Sequence, residues 1–252
     1  MLDALRARVH QGQRTTAFPR AVPTLPDRFR GLPVLAPERC LDGCRECIVA
    51  CPTGALSASP ALALDLGRCL FCTDCIDACP ADAIRFSPEY RLSARRRENL
   101  LQSGSDALPK VQALEKQALR LFGRSLRLRQ VSAGGCNACE ADVAVLSSVV
   151  FDLSRFGIQF VASPRHADGL LVTGPVTHNM SEALRLTYEA VPDPKLVIAV
   201  GACAITGGPY VDHPEVENSA DAIVPVDLYV AGCPPHPITI LDGLLSLLDR
   251  LT

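Results

Sequence analysis

Residues 69–80 read CLFCTDCIDACP: four cysteines spaced C-x2-C-x2-C-x3-C, with a proline behind the last. Cys40, Cys44, Cys47 and Cys51 repeat the rhythm upstream, again closing on a proline, Pro52. Three close thiols followed by a fourth and a proline is the spacing that wraps a 4Fe–4S cube. Structural zinc sites also use CxxC pairs roughly twenty residues apart. Zinc, however, calls for neither a third cysteine two residues further on nor the proline.

In the two-cluster form of this spacing, three close cysteines hold one cube and the fourth reaches across to the other. Applied here, Cys40, Cys44, Cys47 and Cys79 hold cluster 1, while Cys69, Cys72, Cys75 and Cys51 hold cluster 2. The first quartet carries one extra residue, in Leu41-Asp42-Gly43, and Gly43 can adopt the backbone conformations that a widened loop needs. Each half of this repeat continues into a short predicted strand, Ala55–Leu56–Ser57 in one and Ala83–Ile84–Arg85–Phe86 in the other.

Outward from that segment, the chain has 252 residues, of which 48% are hydrophobic and 21% charged. This is enough to bury a core and suggests about two domains. The count of 12 cysteines is the informative number. The start, MLDALRARVHQGQR, lacks the apolar stretch and cleavage site of a secretory signal, so metal rather than disulfide is the expected use of the thiols. The longest apolar run, Leu196 to Ile205, has ten residues, about half the ~20 of a membrane-spanning helix. No span is expected.

The net charge of −2 conceals segregation, with balances of +4 over residues 1–36, −4 over 37–90, +7 over 91–130 and −9 over 131–252. An acidic main domain is a poor partner for nucleic acid, and the basic segments read as straps on acidic neighbours. Residues 1–36 form a basic arm, 37–90 the cysteine-rich domain, 91–124 a basic linker and 125–252 a second domain. Within the linker, 91–110 read as a loop. Val111, Leu114, Ala118, Leu121 and Phe122 lie at helical spacing, a helix packed on its own domain.

From Ser125, the alternation in SLRLRQV predicts a strand running into a glycine-rich turn and a helix. Strands at Ile158–Ala162, Gly169–Thr173, Leu196–Val200 and Leu228–Val230 alternate with helices near 180–191 and 238–250, the pattern of a parallel α/β sheet covered on both faces. Cys136 and Cys139, Cys203, and Cys233 each follow a predicted strand. Ligands collect beyond the carboxyl ends of such strands, so four distant thiols can converge on a third 4Fe–4S cluster. A structural zinc has the same ligand count, and inert buried cysteines are the remaining alternative.

Two resemblances sharpen these expectations. FRGLPVLAPERCLDGCRECIVACPTGAL with the second quartet, about residues 28–90, resembles the two-cluster ferredoxin subunit of respiratory complex I and membrane-bound hydrogenases, including Arg30–Gly31. GGCNACE, LLVTGPVTHNM, AVGACAITGG and VAGCPPHP, about residues 126–245, resemble the family uniting the complex I 20 kDa subunit with the small subunits of membrane-bound NiFe hydrogenases. That match implies a flavodoxin-like domain with Cys136, Cys139, Cys203 and Cys233 as ligands of cluster 3. It also implies that Gly135, Gly201, Gly207, Gly208, Pro234 and Pro235 shape the cofactor loops. Glu140 becomes a candidate proton-path carboxylate, although an acidic residue in a first helical turn is favourable for dipole reasons alone.

Complex I subunits have adjacent cysteines at the first position. The Cys136-Asn137-Ala138-Cys139 arrangement resembles the group 4, formate hydrogenlyase-like hydrogenase branch instead, here fused to its ferredoxin. The implied function is an electron relay in an oxidoreductase complex, between an upstream donor or acceptor subunit and a catalytic large subunit that carries the catalytic metal. Membrane-arm subunits are the other implied partners, and the implied location is peripheral, on the cytoplasmic face of the inner membrane. No G-x-G-x-x-G or P-loop is present, so no nucleotide cofactor is expected. His178 and His236 read as structural or partner-contact residues. The rival readings are a complex I-like quinone-reducing subunit and a structural zinc-binding interaction protein.

Overall fold

Short antiparallel pairs frame the cysteine loops, and one mainly parallel sheet carries the C-terminal domain. The computed structural model describes residues 2–58, 61–104 and 108–251. It begins with a helix, α1 (Leu2–Gln11), that buries none of its residues. The arm then crosses the C-terminal domain. Thr16 N–H donates to Val150 O at 2.8 Å, Arg155 donates to the carbonyls of Thr16 and Phe18 at 2.8 and 2.9 Å, and buried Phe18 meets Tyr90 edge-on. The arm is a strap, as its charge suggested. Over the C-terminal domain it is fastened by a main-chain bond and by Arg155 of the domain beneath; further along, Arg30 of the arm donates to the carbonyls of Phe71 and Cys72.

The cysteine-rich segment contains β1 (Pro33–Leu35), α2 (Glu46–Ala50), β2 (Leu56–Ala58), β3 (Leu62–Asp65), α3 (Asp74–Asp77) and β4 (Ile84–Phe86). β1 pairs antiparallel with β4, and β2 with β3. Each helix is a single turn, because the thiol spacing leaves no room for more. The repeat predicted β2 and β4; β3, whose Leu62 and Leu64 are buried, lay between the quartets without a signal of its own.

The following stretch departs from the expected loop. Ser93–Ala94 (β5) adds antiparallel to the edge of the C-terminal sheet, and Leu101–Ser103 (β6) adds to β3 in the cysteine-rich part. Thus one segment is stitched into both halves. Arg97 pairs with Asp65, a strap contact of the expected kind. Residues 105–107 of that predicted loop lie outside the described residues. The predicted helix at 111–122 forms only as α4 (Lys116–Phe122), with Leu114 and Phe122 buried and Leu121 exposed. Its first turn is lost because Leu114 N–H donates to Leu247 O instead.

The C-terminal domain comprises β7 (Leu126–Ser132), α5 (Ala138–Val145), β8 (Ile158–Phe160), β9 (Gly169–Thr173), α6 (His178–Ala190), β10 (Leu196–Val200), α7 (Ala202–Thr206), β11 (Leu228–Val230) and α8 (Pro237–Leu247). The sheet order is β5-β11-β10-β9-β7-β8. All pairings except β5 with β11 are parallel. The five parallel strands therefore run 2-1-3-4-5, the flavodoxin-like order, whose topological switch point lies between its first and third strands, β7 and β9. Every residue of β9 and β10 is buried, as continuous apolar runs between two helical layers require. Each such Leu, Ile or Val contributes about 1.5–3 kcal/mol of burial.

Candidate metal centres

Cys40, Cys44, Cys47 and Cys79 line one cavity of about 410 Å³ between the two turns of the cysteine-rich part. The thiols act on one another. Burial, then Cys79 and Cys44, raise the Cys40 pKa; burial, then Cys79, Cys40 and Cys44, raise that of Cys47. Gly43 takes the left-handed conformation, φ +70°, that the extra residue in this loop demands.

Cys69, Cys72, Cys75 and Cys51 form a second group. Burial, followed by Cys75, Cys51 and Cys72, pushes Cys69 up to about 12, against a lowering by the Phe71 amide. Burial, Cys72 and Cys51 push Cys75 up to about 11, with a further contribution from Cys47 of the first group. Main-chain amides point at these sulfurs. Ala55 N–H donates to Cys51 Sγ at 3.2 Å, Ala83 N–H to Cys79 Sγ at 3.3 Å and Phe71 N–H to Cys69 Sγ at 3.4 Å. The first two are one repeat, an alanine four residues after each Cys-Pro cysteine, legible in the sequence but not singled out there.

The third group stands at the carboxyl ends of the parallel strands. Burial, then Cys203, Cys233, Glu140 and Cys136, drive the Cys139 thiol far up. Burial, Cys233, Cys136 and Glu140 push Cys203 up to about 12. For Cys233 the causes are burial, Cys136 and, across the boundary between the two halves, Cys72. Loop backbone makes room for these sulfurs. A Cβ on Gly201, at φ +91°, would lie 2.5 Å from Cys139 Sγ, and one on Gly208 2.9 Å from Cys203 Sγ.

The remaining loop residues act less directly. A Cβ on Gly135 would lie 3.0 Å from Gly174 Cα, so this glycine lets the loops after β7 and β9 touch at the switch point. Gly207 caps α7 beside Asn218. Pro234 and Pro235 wall a second cavity, of about 360 Å³, next to Cys233. Glu140 Oε1 accepts from Ser132 Oγ at 2.6 Å and Thr173 Oγ1 at 2.7 Å, hydroxyls at the ends of β7 and β9. Its carboxylate therefore anchors α5 to both strands. His236 Nδ1 accepts from Ile238 N–H at the start of α8, and His178 Nε2 lies 3.7 Å from Glu217.

Among the described residues, no three His, Cys, Asp or Glu side chains stand close enough to share one metal ion. Tetrahedral zinc with Zn–S bonds of about 2.3 Å would draw its sulfurs to within about 3.8 Å of each other. The first set rings an open cavity of about 410 Å³ instead, as a larger inorganic core needs. Burial makes their thiolates costly without a cation, and soft thiolate donors suit iron–sulfur cores. The donor sets, the amides aimed at sulfur and the glycine cradles all fit 4Fe–4S cubes.

The fold and these loops define an iron–sulfur electron-transfer protein of the oxidoreductase class. Residues 136–247 match the family described as NADH ubiquinone oxidoreductase, 20 Kd subunit, and residues 39–83 match the 4Fe-4S dicluster domain. The chain is 44% identical to the probable membrane-bound hydrogenase subunit mbhJ of Pyrococcus furiosus, over 54% of this chain and 81% of that protein. It is 42% identical to formate hydrogenlyase subunit 7 of Escherichia coli, over 56% of this chain and 55% of that protein. Against an NADH-quinone oxidoreductase subunit of Heliobacterium modesticaldum it is 42% identical, over 47% of this chain and 69% of that protein. It belongs to the NADH ubiquinone oxidoreductase 20 kDa subunit family, with a 4Fe–4S dicluster domain in the same polypeptide.

Among the described residues, no helix is long and apolar enough to cross a membrane. Relatives that are subunits of membrane-bound complexes and a chain without such a helix are consistent with peripheral association among partner subunits.

Proposed function

We propose that this chain is the electron-relay subunit of a membrane-bound, formate hydrogenlyase-like hydrogenase complex. Three cubes are held by Cys40, Cys44, Cys47 and Cys79; by Cys69, Cys72, Cys75 and Cys51; and by Cys136, Cys139, Cys203 and Cys233. The observation that carries this reading is the meeting of the cysteine loops: Cys79 joins Cys40, Cys44 and Cys47 around one cavity, and Thr206, on the helix that carries Cys203, donates to Gly67 O at 2.8 Å, two residues before Cys69. When bound, such cubes supply one-electron exchange. The chain's own residues hold them, aim amides at the sulfurs of Cys51, Cys69 and Cys79 and bury Cys203.

The first set faces an upstream donor or acceptor subunit. The third faces a large subunit that carries the catalytic metal, beside membrane-arm subunits on the cytoplasmic face of the inner membrane. Glu140, which accepts from Ser132 and Thr173 at the switch point, passes a proton toward that interface. The Cys136–Cys139 spacing, with two residues between the thiols, favours the hydrogenase reading over quinone reduction.

Anaerobically purified protein tests this directly. About twelve iron and twelve acid-labile sulfide per chain are expected from three four-iron cubes, and eight of each, or stoichiometric zinc, would refute it. In the assembled complex, Cys139→Ser should keep both ferredoxin EPR signals while donor-coupled hydrogen turnover is lost. Undiminished coupled turnover would remove the third site from the path.

A further inference from the structure

The strap that enters the cysteine-rich part, residues 28–32, is pinned to both halves of the chain. Gly31 N–H donates to Ser87 O at 3.0 Å and Leu32 N–H to Glu89 O at 2.8 Å. A Cβ on Gly31 would lie 2.1 Å from Glu89 O, so the strap is pressed against 87–89 with no space between. On its other side, Phe29 packs edge-on against His236, at a centroid separation of 5.5 Å and an angle of 85°.

Arg30 lies between these fixed neighbours. Its Nη1 donates to Phe71 O at 2.7 Å and to Cys72 O at 3.2 Å, in the turn between two thiols of the second set. The same side chain lines the 360 Å³ cavity whose opposite wall is Cys233 and Pro234, from the third set. Arg30 thus borders the place where Cys72 and Cys233 sense each other. A guanidinium remains protonated throughout the range in which proteins fold, and its planar fork can hold two acceptors at once. Asp142 is the one carboxylate among the residues lining this cavity, and burial shifts it toward the neutral form.

We propose that Arg30 is the positioning residue of the electron junction between the two halves. It holds the Phe71–Cys72 turn at its distance from Cys233 and places a positive charge beside the second and third clusters but not the first. Reduction adds negative charge to a cluster, so a neighbouring cation raises its potential; net charge and hydrogen bonding are the levers the protein has. This rests on the three-cluster reading above.

The test is an EPR-monitored redox titration of the full chain, anaerobically purified, as wild type, Arg30→Gln and Arg30→Lys. In Arg30→Gln, the potentials of the second and third clusters should fall together, by up to a tenfold change in the one-electron equilibrium, about 59 mV, while the first stays in place. Arg30→Lys restores charge without the fork, so it should recover much of the potential yet leave the magnetic coupling between the second and third clusters altered. Three clusters at wild-type potentials in Arg30→Gln, or an equal shift in all three, would overturn the role assigned to Arg30 alone. Fewer than three clusters in the wild type would overturn the underlying reading and this one with it.

Discussion

Thr206, on the helix that carries Cys203, donates through Oγ1 to the carbonyl of Gly67 at 2.8 Å, in the turn that delivers Cys69. The contact is crowded, since a Cβ on Gly67 would lie 2.8 Å from both Ile205 Cγ2 and the guanidinium carbon of Arg97. The two halves are therefore locked at their cysteine loops, not merely tethered by a linker. Thr206→Val keeps the shape and removes the bond, at a cost of about 1 kcal/mol. For a chain of this size, Tm should drop by about 2–4 °C. Thermal unfolding of the anaerobic protein measures it, and an unchanged Tm would mean that packing alone joins the halves.

Gly201 makes the third site possible. At φ +91°, with a Cβ position 2.5 Å from Cys139 Sγ, alanine there is both strained and in collision with a sulfur. Gly201→Ala should lose about four of twelve irons, the content of one cube, while the eight ferredoxin thiols keep theirs. Iron analysis with EPR reads the outcome; full iron content would show that the loop moves aside.

Crossed ligation has a distinct signature. Cys79 belongs to the second quartet in sequence but lines the first cavity, with Cys40, Cys44 and Cys47. Cys79→Ser should therefore perturb the EPR signal of the cluster held by the first quartet, and Cys51→Ser that of the second. The reverse assignment would show that each quartet closes on its own cube.

Asp242 is buried in α8, and burial pushes its carboxyl up to about 7 from an ordinary 3.8, with Arg91 lowering and Glu89 raising it. The fold thus favours the neutral acid. Its contribution is complete at low pH, declines as pH rises from about 4 and is gone above about 7. Asp242→Asn cannot ionise, so relative to wild type it should gain up to about 2.6 kcal/mol at pH 8 over its standing at pH 5. Denaturant unfolding at both pH values measures this, and a constant difference would show that the carboxylate is solvated after all.

Much of this molecule was legible in its sequence. The Cys-Pro quartets carry their own spacing, and β9 and β10 have the bounds that their uninterrupted apolar runs imply. Both signals are local: a thiol spacing set by the size of a cube, and a hydrophobic run set by burial on two faces. The rule that sites gather beyond the carboxyl ends of parallel strands brought four scattered cysteines together before any coordinate did.

What the sequence determined by itself is therefore the donor inventory, the strand and helix alternation and the family. Only the tertiary structure decided how the halves meet. β5 and β6 are two- and three-residue edge strands in a segment whose charge reads as a loop, and their pairing depends on main-chain partners far away in the sequence. Arg30 reaching Phe71 and Cys72, and Thr206 reaching Gly67, are of the same kind. No periodicity encodes them, because each is a contact between surfaces that exist only once both halves have folded.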